Sequence, residues 1–307
     1  MLYRIDEYSK KIIFMSEKRT KKLMRKIKIY DLELKKLYIK SAPLRFISNL
    51  EGITQYSTQK SLYLCGSNKP ALNSSETTGS YLFRYDLADN FKQPSVLVNS
   101  AYVHYNPMIV LINEDILVVI GGKEQIFCEK YSIELNNWRK IPILPEERYK
   151  GCLLVNQKES NLYLFGGMTN GKFNTSILFL NFRSIAGWER IILKENDFLL
   201  KRSNFIAFQL DKDKNNIFIC GGDTESNIDN NEFIVQYDSI NKKLKKQFIK
   251  SNITNAKFKN QTKIDFDGKF FSFVDKEENI YLIDKNKFGI TIIDTKEIII
   301  NNFDILY

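Results

Sequence analysis

The chain has 307 residues, 43% hydrophobic and 13% aromatic, which suffices for a packed core and excludes disorder as a description of the whole. Its formal charge of +10 is uneven: residues 1–50 hold 14 Lys and Arg against five acids, and the rest is almost neutral. No apolar run approaches the ~18 residues of a membrane-spanning helix, and Cys65, Cys128, Cys152 and Cys220 form no C-x-x-C pair.

The predicted elements are short strands. At the N-terminus "LYRIDEY" and "KKIIFMS" precede "IKIYDLELKKLYI", which carries Tyr30, Asp31 and Leu37. Leu23, Ile27, Tyr30, Leu34 and Leu37 step by four and three, a spacing that also suits a helix. The strand reading is preferred because the Tyr-Asp pair recurs in two later segments. Next, "SLYLCGS" ends an apolar run on Gly66 and is followed by Tyr85 and Phe91. "ILVVIGG" ends on Gly121-Gly122, with Tyr131 and Trp138 after it. "NLYLFGG" ends on Gly166-Gly167, with Phe179 in the tyrosine place and then Trp188. "NIFICGG" ends on Gly221-Gly222 and leads to Tyr237 and Leu244. The last copy, "KFFSFVD", has Val274 for the glycine, as the first has Ser16; "NIYLID" and "FGITII" follow it.

The glycine-ended runs of the four central copies are 55, 45 and 55 residues apart. A period near ~50 is the signature of a repeat, and four short strands fit that length. Runs of β-branched and aromatic residues broken by Asn, Asp, Gly and Lys favour strand over helix. A glycine pair at the end of a second strand suits a sharp turn, because positive φ is cheap only for Gly. Tyr85, Tyr131, Tyr237, Trp138 and Trp188 are expected to fill the layers between repeats.

This Gly-Gly/Tyr/Trp pattern resembles the kelch repeat, most closely through Gly121-Gly122/Tyr131/Trp138 and Gly166-Gly167/Trp188. The resemblance implies an all-β, six-bladed β-propeller with four antiparallel strands per blade. The blades would be residues 1–42, 43–101, 102–146, 147–200, 201–252 and 253–297, in a single domain over 1–307. The tail 298–307 would seal the ring.

In such a blade the loop between the second and third strands emerges on one face. These loops are long here: 16–26, 67–80, 123–126, 168–175 and 223–232. Function usually sits on the elaborated face of a rigid scaffold. Lys18, Arg19, Lys21, Lys22, Arg25, Lys26 and Lys28 are expected there, as a solvated loop or as a patch for an acidic partner. Nucleic acid is disfavoured because no aromatic residue interleaves with the lysines to stack on bases. A second set, Arg45, His104, Arg148, Arg202 and Lys257, precedes the first strands and would ring the channel mouth. The resemblance implies that a basic residue there is partly structural; as a ligand site, forked guanidinium donors would favour carboxylate or phosphate.

Catalytic chemistry is sparse. His104 is the one histidine, so no His-rich metal cluster can form. The sequence has no Gly-rich phosphate loop, G-x-S-x-G or H-E-x-x-H. Some kelch propellers are enzymes, using His, Tyr-Cys or acidic constellations, and a single histidine argues against most of these. Neither a metal nor a cofactor is expected. The expected function is a non-enzymatic scaffold or adaptor binding a protein partner in a larger, cytoskeletal or similar assembly. The alternative is a sugar or acid isomerase or lyase using the cationic ring. Free thiols and the absence of an export signal suggest the cytoplasm.

Overall fold

A computed structural model describes residues 11–19, 24–31, 36–43, 52–57, 61–67, 79–86, 94–113, 115–156, 161–184, 186–193, 197–210, 213–220, 223–224, 233–248, 270–274, 280–284 and 290–293. Among these the regular structure is antiparallel sheet, with one 3₁₀ turn at Asp197–Leu200. The first sheet joins β1 (Lys11–Arg19), β2 (Met24–Asp31) and β3 (Lys36–Pro43). Of the residues with four-and-three spacing, Ile27 and Tyr30 therefore lie on β2 and Leu37 on β3, not on a helix, and Leu23 and Leu34 lie outside the described residues. The second sheet joins β4 (Ile53–Ser57), β5 (Ser61–Gly66), β6 (Tyr81–Asp86) and β7 (Ser95–Val96). The third joins β8 (Met108–Ile112), β9 (Ile116–Gly122), β10 (Gln125–Ser132) and β11 (Asn137–Ile141).

In the fourth sheet β12 (Cys152–Asn156) and β13 (Asn161–Phe165) are followed by a small hairpin, β14 (Met168–Thr169) and β15 (Lys172–Phe173). β16 (Ile177–Asn181) and β17 (Glu189–Ile191) complete it. Before the fifth sheet, β18 (Arg202–Ser203) pairs with β21 (Asp223–Thr224), which lies later in the chain. The fifth sheet proper is β19 (Ile206–Leu210), β20 (Asp213–Cys220), β22 (Phe233–Asp238) and β23 (Lys243–Phe248). The last is β24 (Phe270–Val274), β25 (Ile280–Asp284) and β26 (Ile290–Ile293).

Strand periodicity explains how the middle sheets stack. Successive side chains point to opposite faces, and the third sheet is apolar on both. Ile109, Leu111, Leu117, Val119 and Tyr131 pack with Tyr63, Cys65 and Leu82 of the second sheet. The alternate residues Met108, Val110, Ile112, Val118, Ile120 and Cys128 pack with Leu153, Leu162, Leu164, Leu178 and Leu180 of the fourth. The fourth sheet's other face puts Phe165 and Ile177 against Ala207, Ile217, Ile219, Val235, Tyr237 and Leu244 of the fifth. Burying one such side chain contributes roughly 1.5–3 kcal/mol. First strands lie beside first strands in turn: β4 by β8, β8 by β12, β12 by β19.

Candidate functional site

The cationic positions before the first strands are buried. His104 and Arg148 are 0% exposed and Arg202 is 1% exposed. The reason is an oxygen-rich seam between sheets. His104 Nδ1 lies 2.6 Å from the Gly121 carbonyl and Nε2 lies 3.1 Å from Glu129 Oε2. Glu129, itself buried, also accepts from the Ala101 and Tyr102 amides. Arg148 donates to the Gly166 carbonyl at 2.8 Å, to Glu146 Oε1 at 2.7 Å and to Ser176 Oγ at 2.8 Å. Burial lowers its pKa to about 10, against the opposing pull of Glu146. Arg202 Nε donates to the Leu199 carbonyl.

The backbone repeats the pattern. The amides of Ser67, Gly122 and Gly167 donate to the carbonyls of His104, Arg148 and Arg202 at 2.7, 2.9 and 3.0 Å. Two residues beyond His104, Arg148 and Arg202 stand left-handed residues: Asn106, Lys150 and Asn204, with φ of 55°, 55° and 56°. The Asn106 amide donates to Gly52 O, as Asn204 does to Lys150 O. Gly52 is thus the equivalent in the second sheet. Arg45 and Lys257 lie outside the described residues. The described members of the set tie neighbouring sheets through their backbone carbonyls, while their side chains bond oxygens of their own unit and Arg148 Nε is buried without a hydrogen-bond partner.

The turns between second and third strands are shorter than expected in two places. Residues 123–126 reduce to a two-residue turn between Gly122 and Gln125, and 168–175 fold into the β14–β15 hairpin. Glu147 joins these neighbours, accepting from the Glu124 amide at 2.7 Å and from the Asn170 amide. Thr169 Oγ donates to the Glu147 carbonyl. Asn174 Nδ2 donates to Glu146 Oε1 at 3.1 Å, and its side-chain oxygen accepts from Ser176 N at 2.8 Å. Burial pushes the Glu146 carboxyl up, but Arg148, Asn174 and Arg190 outweigh it and hold it below the usual range. Lys123, Glu124, Asn170, Lys172 and Asn204 are exposed around this scaffold. Glu129, Glu146 and Glu147 were not singled out by sequence, since isolated acids carry no periodic signal.

The basic segment is strand rather than loop over most of its length. Lys18 and Arg19 end β1, and Arg25, Lys26 and Lys28 lie in β2; Lys21 and Lys22 lie outside the described residues. Arg19 stands opposite Arg25 in the ladder.

Among the repeat positions, Gly66, Gly121, Gly122, Gly166 and Gly167 all have positive φ. Gly221, Gly222 and Phe91 lie outside the described residues. Tyr85, Tyr131 and Tyr237 are buried, each opposite the residue four before the glycine: Leu62, Leu117 and Ile217. By that register Leu162 faces Leu180, so Leu180, not Phe179, holds the tyrosine place in the fourth sheet. Both tryptophans are staples: Trp138 donates to Val98 O at 2.6 Å and Trp188 to Pro142 O at 3.0 Å, each reaching the chain just past the preceding sheet.

Among the described residues no group of three His, Cys, Asp or Glu could hold a metal, and no helix is long and apolar enough to cross a membrane. The sequence matches no family model and no curated protein.

Proposed function

We propose that this chain is a non-enzymatic, kelch-like six-bladed propeller that acts as a scaffold or adaptor. It binds a protein partner through the face of the second-to-third-strand turns, with the basic hairpin receiving an acidic segment. The observation that carries this reading is the burial of His104, Arg148 and Arg202 on backbone and side-chain oxygens. The guanidinium groups an isomerase or lyase would need for an anionic substrate, those of Arg148 and Arg202, donate to oxygens of the protein itself. The described first strands β4, β8, β12 and β19 also carry no charged residue, which favours a packed centre over a polar reaction chamber. Glu147 braces neighbouring turns, and a braced face binds with less ordering cost. The blade order is supported by the Gly-Gly/Tyr/Trp pattern and by sheets stacked first strand to first strand. A cytoplasmic, cytoskeleton-associated assembly is the setting that suits such an adaptor.

The experiment is a pull-down from native lysate with the wild-type chain and with Lys21→Glu, Lys22→Glu, Arg25→Glu, Lys26→Glu. A stoichiometric protein lost with the variant supports the reading. Turnover of acidic sugars by the wild-type chain, abolished by Arg148→Lys, would overturn it.

A further inference from the structure

We propose that Asn170–Gly171, at the tip of the β14–β15 hairpin, is a self-modifying site. Asn170 loses its side-chain amide, and the carboxylate that forms releases the bridge Glu147 makes between neighbouring turns. The inference goes beyond the scaffold reading and does not rest on it.

Sequence and backbone meet at this one place. Five asparagines among the described residues have a left-handed backbone: Asn106, Asn113, Asn136, Asn170 and Asn204. The residues after them are Pro107, Glu114, Asn137, Gly171 and Phe205. Deamidation begins when the amide nitrogen of the following residue attacks the asparagine Cγ. A side chain on that residue hinders the attack, and proline, with no N–H, prevents it. Asn170–Gly171 is the one Asn-Gly pair in the chain. Both residues are exposed, and a Cβ on Gly171 would meet nothing within 4 Å. They form the two-residue turn between the paired Thr169 and Lys172, with φ of 49° and 75°. That is the turn geometry Asn-Gly favours, and the open space lets it distort without moving a neighbour.

The step needs only the chain and water. The Gly171 nitrogen gives up its proton and bonds to Asn170 Cγ, while the side-chain nitrogen gains a proton and leaves as ammonia. The product is a five-membered succinimide. Water opens it at either carbonyl, giving aspartate or, with the backbone rerouted through Cβ, isoaspartate. The Gly171 amide faces the Tyr149 hydroxyl oxygen, an acceptor placed where its proton departs.

The consequence falls on Glu147. Its carboxylate accepts from the Asn170 amide and, at 2.7 Å, from the Glu124 amide, so one side chain joins the turns of the third and fourth sheets. In isoaspartate the new carboxylate sits on Cα, beside the amide that Glu147 holds; in aspartate it is one carbon further away. Either product sets two like charges at one turn, where they repel. Isoaspartate also adds a carbon to the backbone of a turn only two residues long.

The test incubates the full chain in warm buffer at mildly acidic and mildly alkaline pH and maps its peptides by mass spectrometry. Conversion of Asn170 is expected to be about tenfold faster than that of Asn113 or Asn136, a barrier about 1.4 kcal/mol lower. It should speed up with pH, because the attacking amide must lose a proton, and Gly171→Ala should slow it to the rate of the other two. Deuterium exchange at the Glu124 amide should be faster in the converted protein than in fresh protein. Asn170→Gln, incubated alike, should keep the exchange of fresh protein. Equal conversion of Asn113, Asn136 and Asn170 would overturn the site, and that comparison needs no variant. Conversion of Asn170 with unchanged Glu124 exchange would overturn the release of Glu147. Faster exchange in incubated Asn170→Gln would remove the assignment to Asn170.

Discussion

Gly122 and Arg148 meet across two sheets: the Gly122 amide donates to the Arg148 carbonyl at 2.9 Å. The Arg148 guanidinium then turns into its own sheet and takes the Gly166 carbonyl at 2.8 Å. One residue therefore ties the end of β9 to the end of β13. Arg148→Ala leaves Glu146 and the Gly166 carbonyl without this donor and should cost about 3–5 kcal/mol, as when a buried pair loses one partner. Arg148→Lys should recover only part, because an ammonium cannot reproduce the fork. Arg183→Ala, at an exposed site, should stay within about 0.5 kcal/mol. Urea unfolding midpoints measure all three.

The glycines form a graded series. A Cβ on Gly167 would lie 2.7 Å from Gly151 N and Tyr149 O, at a φ of +86°. Gly171 has a φ of +75° but open space, and Gly187 has open space without a positive φ. Gly187→Ala should be neutral within about 0.5 kcal/mol. Gly171→Ala should cost about 1–2 kcal/mol, the strain of the left-handed region. Gly167→Ala should cost more than either, since backbone must also move. Melting temperatures in that order would support the account, and equal melting temperatures would end it.

The two tryptophans, Trp138 and Trp188, are the only ones in the chain, and each sits at a joint between sheets. Trp138→Phe keeps most of the packing and leaves Val98 O without its donor, which should cost about 1–3 kcal/mol. The remaining Trp188 emission then reports the joint of the third and fourth sheets alone. A shift of that emission at a lower urea concentration than the far-UV signal would mean that the joint opens before the sheets melt.

Acid should weaken the Glu146 knot. Its carboxyl has a lowered folded value, so its stabilisation is present above the unfolded value near ~4.3. It is lost as pH falls through the folded one. Glu146→Gln should be less stable than wild type at pH 7, and the two should converge in acid. A constant gap from pH 7 to pH 3 would show that the charge of Glu146 does not matter.

At the alkaline end the sign reverses. Burial raises the thiols of Cys65 and Cys128, the latter to about 12. Unfolded thiols ionise near ~8.5, so stability is flat below that pH and falls as pH rises toward the folded values. Cys128→Ala should flatten part of this arm between pH 8.5 and 10 while carrying a fixed cavity cost. Buried Tyr63, Tyr131 and Tyr237 are raised by desolvation and enter only above the ordinary tyrosine value.

The strand pattern was readable because apolar alternation and a glycine stop are local signals. The glycine, tyrosine and tryptophan positions followed from that periodicity. The fourth unit misled because its aromatic Phe179 was matched to the tyrosines by type. The ladder matches Leu180 instead, and one residue of register exchanges the faces of a strand. The cationic set was visible as charge, but charge alone does not say whether a guanidinium faces water or a carbonyl. That depends on Gly121 and Gly166, whose oxygens lie at the ends of second strands 17 and 18 residues further on. Glu129 and Glu147 act through backbone amides of other segments and Glu146 through the side chains of Arg148, Asn174 and Arg190, and no spacing in the sequence announces such partners.

Trp138 lies in the third sheet yet completes the outer edge of the second, and the third sheet's two faces are each half of a core shared with a neighbour. The repeat written in the sequence is therefore not the unit that stands alone. A fragment cut between the second and third sheets, or between the third and fourth, would expose an apolar face and leave a carbonyl without its indole. A gene that gains or loses one repeat must supply a new neighbour for both of the faces it separates.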